Sequence, residues 1–306
     1  MKTGVCDIQT SRLSYRLYGD ESNPLVIVET ALANCSAEWW HLAEVWSKKF
    51  CVLLYDRAGY GSSSTSTLLR TPMNIAKELG ELLNALEISK KAVLIGHSMG
   101  GLYAQQFARL FPGRIHALIL LDPVSANSHI LQQQLSDKEY DQSGIDKGRN
   151  LRLGWLISSL RLGFLFKPLL RKAPPFYYYD NFTKEEEDCI LNHLTQRKMY
   201  RSALSEYQCL TPDSTGTASL GEKGDFPNVP IYLICHDPEI MIAEIVAYGG
   251  ANIVTAAKID HLWISLMKEY LSFSEKAQYR QAHKSGHFIH LSDPNILWET
   301  LLSIKY

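Results

Sequence analysis

Six residues constrain this chain most: Gly96-His97-Ser98-Met99-Gly100-Gly101. A β-type run, Ala92-Val93-Leu94-Ile95, leads into them, and a helix-type run from Leu102 to Arg109 leads out. The spacing predicts a strand that turns abruptly into a helix. Glycine at 96 and 100 keeps side chains out of a turn where backbones crowd. Met99 opens the helix, and a backbone N–H at a helix start favours negative charge. A strand that feeds a helix is half of a crossover unit, which points to parallel strands.

The surrounding sequence repeats that rhythm. Arg12 to Tyr18 alternates polar and apolar residues and reads as a half-exposed strand closed by Gly19-Asp20. Leu25 to Glu29 and Phe50 to Tyr55 read as buried strands, with a helical stretch from Glu38 to Lys48 between them. Thr71-Pro72 starts an amphipathic helix with Ile75, Leu79, Leu82, Leu83 and Leu86 on one face. Ile115 to Leu121 is another buried strand. Strands alternating with helices predict an α/β fold with a mostly parallel central sheet flanked by helices.

After Asp122-Pro123 the rhythm breaks, and it resumes with the strand Val229 to Cys235. A short strand over Gln278 to Ala282 and a helix over Asn295 to Ile304 follow. The expected organisation is a core of residues 1–124 and 229–306 with a helical cap inserted at 125–228. The insertion contains an apolar, basic stretch, Leu151 to Lys172, and an aromatic cluster, Phe176-Tyr177-Tyr178-Tyr179. Leu151 to Lys172 can serve as part of a cap that buries its apolar face on the core. It can also be read as a membrane-surface helix.

Composition excludes several functions. The net charge of −1 over 306 residues supplies no basic field for nucleic acid. No apolar run approaches the roughly 20 residues needed to span a membrane, so no integral membrane segment is expected. Met1 to Asp7 lacks an apolar signal core. The six cysteines, Cys6, Cys35, Cys51, Cys189, Cys209 and Cys235, show no CxxC or Cys/His metal spacing. Free thiols and a cytoplasmic location are expected; the oligomeric state is not legible.

Three motifs fall in one order: Tyr55-Asp56-Arg57-Ala58-Gly59-Tyr60-Gly61-Ser62-Ser63, then Gly96 to Gly101, then Ser285-Gly286-His287 followed by Pro294. Together they resemble the α/β-hydrolase superfamily over nearly the whole chain except the insertion. The resemblance implies that Ser98 is a nucleophile on a strained turn, with its Oγ exposed at the top of the sheet. It implies that His287 is the general base, since the unperturbed pKa of histidine, near ~6.5, leaves a neutral imidazole able to take the Ser98 proton at physiological pH. His97 is read as supporting the turn, and His290 lies beyond the Gly-His step. Asp56 and Arg57 are read as organising their loop.

The acid of the triad departs from the usual pattern. His236 stands where the superfamily usually has glycine in the turn after the strand that follows the cap. Glu239 falls near the usual acid position, with Asp237 beside it. Asp122, after the strand that follows the elbow helix, is the first candidate; Glu239, Asp237 and then Asp260 are the alternatives. The oxyanion hole needs backbone N–H groups from Met99 and from the loop Thr30-Ala31-Leu32-Ala33, where Leu32 aligns with the donor. Trp39 and Tyr178 are the expected substrate-binding residues.

The resemblance therefore implies a serine hydrolase acting on an ester or related acyl substrate through an acyl-enzyme. No cofactor or metal is required. The tyrosine-rich cap suggests a small-molecule substrate with an apolar acyl group. A non-hydrolytic enzyme of the same fold, such as a lyase, and a ligand-binding signalling protein are the alternatives.

Overall fold

The computed structural model describes residues 1–210 and 220–306; residues 211–219 of the expected insertion lie outside them. The described residues form an eight-stranded sheet. Its strands are β1 (Lys2–Asp7), β2 (Arg12–Tyr18), β3 (Leu25–Glu29), β4 (Cys51–Tyr55), β5 (Ala92–His97), β6 (Ile115–Leu121), β7 (Ile231–Cys235) and β8 (Ala277–Gln281). The order is β1-β2-β4-β3-β5-β6-β7-β8. β1 pairs antiparallel with β2 and β2 with β4, while the pairs from β4–β3 through β7–β8 are parallel.

The strands β3 to β7 are buried along nearly all of their length, unlike the edge strand β8, and split their side chains between two cores. Leu25, Ile27, Leu94, Leu118, Leu120 and Leu233 enter one. Val26, Val28, Val93, Ile95, Ile119 and Ile234 enter the other. The two-residue period of a strand turns these continuous apolar runs into two faces, each covered by helices. Helices Pro72–Ala85 and Gly100–Leu110 pack on each other on the first side, with Leu79, Leu82, Leu83 and Phe107 in its core. Trp46 of helix Trp40–Trp46 and Leu297 and Leu301 of helix Pro294–Ser303 enter the second. Thr71 caps its helix by accepting from Asn74 N–H, with Pro72 at the first turn.

The chain moves outward from β3 to β4 and then returns past β3 to begin β5. The order therefore reverses between β3 and β5, whose residues Glu29 and Gly96 lie side by side. In open parallel sheets, such a reversal opens a crevice at the carboxyl ends of the strands. Ser98 and the loop after Glu29 stand there.

Between β6 and β7 the described residues hold helices and no strand. Thr183 and Glu186 form a capping box at the start of helix Lys184–Leu194. The Leu151–Lys172 stretch is not one helix. Helix Gly148–Ser159 ends before Arg161, whose φ is 58°, and a short 3-10 turn at Gly163–Phe166 and helix Lys167–Leu170 follow. A side chain at Gly163 would lie 2.9 Å from the Thr195 carbonyl oxygen, so the chain bends where only glycine fits.

Three elements have no counterpart in the periodicity argument: β1 and helices Pro238–Gly249 and Ile253–Lys268. The helix signals are local. Asp237 and Asn252 cap the two starts, and Gly250 takes φ 66° after the first. None of the six cysteines is joined to another in a disulfide.

Candidate active site

Ser98 stands between β5 and helix Gly100–Leu110 with φ 55°, in the left-handed region that side chains avoid. Its backbone is fixed at both ends. Ser98 N–H donates to Leu121 O at 3.0 Å, and Ser98 O accepts from Gly101 and Val124 N–H, each at 3.0 Å. A Cβ at Gly96 would lie 2.6 Å from Gly100 O, and one at Gly100 would lie 2.2 Å from Glu29 O. Both glycines are thus required by close backbone approach, and the network holds a strained serine in place.

The facing loop after β3 is tied down by Arg57. Its fully buried guanidinium donates to Thr30 O at 2.7 Å and Ala31 O at 2.9 Å. Glu206 of helix Arg197–Gln208 accepts from Arg57 at 3.1 Å, and Glu29 lies 3.4 Å away. Ala33 turns with φ 61°, and its N–H donates to Tyr60 Oη at 3.1 Å. Burial pushes the Glu29 carboxyl up to about 7, against Arg57 and the Tyr55 hydroxyl, which favour its charged form. Leu32 packs between the clusters that contain Met99 and Tyr60. Asp56 accepts from Ser36 N–H at 2.9 Å and Ser62 N–H at 3.2 Å, so Asp56 and Arg57 both organise this loop.

Asp122 follows β6 with φ 43° and is fully buried. Its Oδ2 accepts from His287 Nδ1 at 2.6 Å. Its Oδ1 accepts from His236 Nδ1 at 2.7 Å and from His236 N–H at 3.2 Å. His236 Nε2 in turn lies 2.7 Å from Asp260 Oδ1. One carboxylate therefore serves two histidines, and the second is sandwiched between two carboxylates. Burial alone favours a neutral His236, but Asp122 and Asp260 outweigh it and raise its pKa to about 10. Burial likewise opposes the Asp122 charge, yet His236 and the bond from His287 hold its carboxyl well below the usual range. His236 is accordingly a buried cation.

The other acid candidates are used elsewhere. Asp237 accepts from Glu239 N–H at 2.9 Å as a helix cap, Glu239 is exposed, and Asp260 meets His236. Of the four carboxylates weighed on sequence, Asp122 is the one bonded to His287.

His97 Nε2 lies 2.9 Å from the His287 carbonyl oxygen, which fixes Nε2–H as the donor. Burial and the neighbouring His287 lower the His97 pKa to about 3, so His97 supports the histidine loop as a neutral ring. His290 is fully buried and stacks on Trp39 at 4.1 Å. Trp39, expected to face substrate, is itself fully buried against His290, His97 and Trp46. With no accessible face, it supports the site from behind.

Tyr178 is half-buried, stacks on Phe288 at 4.8 Å and donates to Glu244 Oε2 at 2.7 Å. Glu244 sits on helix Pro238–Gly249, and a Cβ at Gly286 would lie 2.5 Å from its Oε2. Glycine before His287 leaves room for that carboxylate. Glu244 and His236 carried no motif, and their roles rest on helix and strand contacts that sequence spacing does not encode.

A family model described as alpha/beta hydrolase fold matches residues 24–294. The chain belongs to the α/β-hydrolase fold family. It is 23% identical to an AB hydrolase superfamily protein of Gibberella zeae over 297 residues, 90% of this chain and 84% of that one. It is 30% identical to a 3-oxoadipate enol-lactonase of Acinetobacter baylyi over 112 residues, 37% of this chain and 42% of that one. The solved enol-lactonase of Burkholderia xenovorans superposes with a TM-score of 0.64 at 16% identity, covering 98% of this chain and 99% of that one. That last likeness is one of fold alone. Within this α/β-hydrolase, Gly96 before Ser98 lies beside Glu29 at the start of the Arg57-held loop, and His97 meets the carbonyl oxygen of His287, the partner of Asp122.

Proposed function

We propose that this α/β-hydrolase is a serine hydrolase that cleaves an ester or related acyl substrate through an acyl-enzyme. The observation that carries the reading is the 2.6 Å bond from His287 to the buried Asp122 carboxylate, in a chain whose Ser98 occupies a strained strand-to-helix turn.

In this mechanism Ser98 Oγ attacks the acyl carbonyl carbon while His287 takes its proton. Asp122 orients the ring and stabilises the imidazolium that forms. The N–H groups of Met99 and Leu32 donate to the oxyanion. The tetrahedral intermediate collapses, the bond to the leaving group breaks, and His287 returns the proton to that group. Water then attacks the acyl-serine with His287 again as base, releasing acid and free Ser98. Arg57 holds the oxyanion loop by its bonds to Thr30 and Ala31 carbonyls.

Residues 125–228 serve as a cap over a core of 1–124 and 229–306. Tyr178, stacked on Phe288 beside His287, contributes to the wall that meets a small apolar acyl group. Relatives named as lactonases and carbamate hydrolases support hydrolysis of a carbonyl substrate. The free thiols fit a cytoplasmic setting. The test is labelling with a fluorophosphonate probe: wild type is labelled, and Ser98→Ala and His287→Ala are not. A folded wild type that stays unlabelled contradicts the reading and favours a lyase or a ligand-binding role.

A further inference from the structure

Nine of the twenty-three large hydrophobic residues exposed among the described residues fall between Leu153 and Leu169. They are Leu153, Trp155, Leu156, Leu160, Leu162, Phe164, Leu165, Phe166 and Leu169, and Leu160, Phe164 and Leu169 are 62%, 60% and 64% exposed. Scattered apolar residues on a surface are ordinary; a run of this density is not. On helix Gly148–Ser159 the pattern is two-sided. Gly148, Leu151 and Ser158 are buried, whereas Leu153 and Leu156 point outward with Arg149 and Arg152. The inner side is committed to the fold: Leu151 packs with Tyr60, Met199 and Ala203, and a Cβ at Gly154 would lie 2.1 Å from the Tyr200 ring. Rotation of the helix cannot bury the outer side without losing this packing.

Along the segment itself the charge has one sign, and the anions beside it, Glu187 and Asp188, stand on helix Lys184–Leu194 next to Lys167 and Arg171. Arg149, Arg152, Arg161, Lys167, Arg171 and Lys172 lie in or beside the patch, and no Asp or Glu occurs from Lys147 to Tyr179. Arg171 and Lys167 reach helix Lys184–Leu194, where Glu187 and Asn192 accept from them. A cleft of about 600 Å³ next to Trp155 extends the surface past Leu68 and Leu69, with Arg197 and Arg201 on its wall. Apolar side chains ringed by cations match the boundary between acyl chains and anionic headgroups. No helix of the described residues is long and apolar enough to cross a membrane, so the contact lies in the plane of the surface.

We propose that Leu153 to Leu169 is a membrane-docking face that seats the protein on an anionic lipid surface. Leu32, the proposed oxyanion donor, packs against the same cluster as Leu151, so the docked face lies one layer from the proposed site. That geometry assigns the substrate to amphiphilic acyl esters drawn from the surface, a point that rests on the serine-hydrolase reading; the docking itself does not.

The experiment is flotation of the full chain with vesicles of phosphatidylcholine alone or with about 30% phosphatidylserine. Wild type and Ser98→Ala are expected to float with the anionic vesicles. Leu156→Asp/Phe164→Asp should lower the bound fraction at least about tenfold. Arg149→Glu/Arg152→Glu should weaken binding to anionic vesicles and make it less salt-sensitive. Circular dichroism and thermal melting of each variant report whether it folds; failure of folded wild type to label with a fluorophosphonate would count against the hydrolase reading and leave the flotation result intact. Wild type that floats with neither vesicle overturns docking, as does binding that survives the double substitution. A stable dimer that Leu156→Asp/Phe164→Asp dissociates, with no vesicle binding, assigns the face to a second copy instead and also overturns it.

Discussion

Arg57 and His236 are both buried cations held between two carboxylates, one beside the loop after β3 and the other beside the loops after β6 and β7. Arg57 sits between Glu29 and Glu206 and gives its remaining donors to the Thr30 and Ala31 carbonyls. It therefore fixes backbone. His236 sits between Asp122 and Asp260, and through Asp122 it meets a side chain, His287. Arg57 keeps its charge at any working pH. His236 is a cation only because its two neighbours make it one. The same electrostatic device thus secures the loop after β3 at any working pH, and secures the Asp122 carboxylate in a way that pH can undo.

The comparison is sharpest at Asp122, which belongs to both the reacting pair and the buried chain. Asp122→Asn should lower kcat/KM by on the order of 10⁴-fold, as loss of the orienting carboxylate does in a well-studied triad. Steady-state kinetics on a short-chain ester measures it. On the other side of Ser98, Arg57→Met leaves Glu29 and Glu206 buried without their cation. A loss of about 3–5 kcal/mol in stability is expected from denaturant unfolding at pH 8. Below pH 7 the loss should shrink, because Glu29 takes up a proton there.

His236→Asn keeps a donor for Asp122 and removes the charge. A loss of about 10- to 100-fold in kcat/KM is expected. A kcat/KM within about twofold of wild type would reduce His236 to a packing residue. Stability supplies a further contrast. His236, Glu29 and Glu38 have folded pKa values raised to about 10, 7 and 8. Above about pH 6.5 these groups make the folded state bind more protons than the unfolded chain, so stability falls as pH rises from there toward 10; below it the buried neutral His97, His193 and His290, whose pKa values are lowered, oppose the trend. The His236 share is complete below about pH 6.5 and is lost as pH approaches 10. Melting temperatures across this range should fall for wild type and fall less above pH 6.5 for His236→Asn. The smallest effect belongs to the exposed Glu239: Glu239→Gln should leave kcat/KM within about twofold and stability within about 0.5 kcal/mol.

Much of the architecture was legible because apolar runs of strand length alternate with helical patterns. Arg12 to Tyr18, Leu25 to Glu29 and Ile115 to Leu121 coincide with strands to the residue. β1 escaped because an edge strand with one paired side needs little apolar surface: of its six residues, Val5 is exposed and only Gly4 and Cys6 are half-buried. The Leu151–Lys172 stretch was legible as apolar and basic, but its bends depend on Gly163 meeting Thr195, a contact distant in sequence.

At the site, the residues named by short motifs, Ser98, Asp56, Arg57 and His287, lie in the connections after β5, β4 and β8. The choice among Asp122, Asp237, Glu239 and Asp260 could not be made from spacing, because all four lie near the carboxyl ends of β6 and β7 or on the helices after them. What separates them is which carboxylate bonds His287, and that is Asp122. Trp39 was misread because an aromatic residue near an oxyanion loop can face either way, and here the His290 ring covers it.

The central claim is that Asp122 is held by a buried imidazolium across the neutral pH range while it orients His287. The most direct measurement is a nitrogen-15 NMR titration of the histidine side chains, with His236 assigned by His236→Asn. Both His236 ring nitrogens should remain protonated from pH 5 to about pH 9 and should release a proton only near pH 10. A His236 that titrates near pH 6.5, or is neutral throughout, would contradict the account.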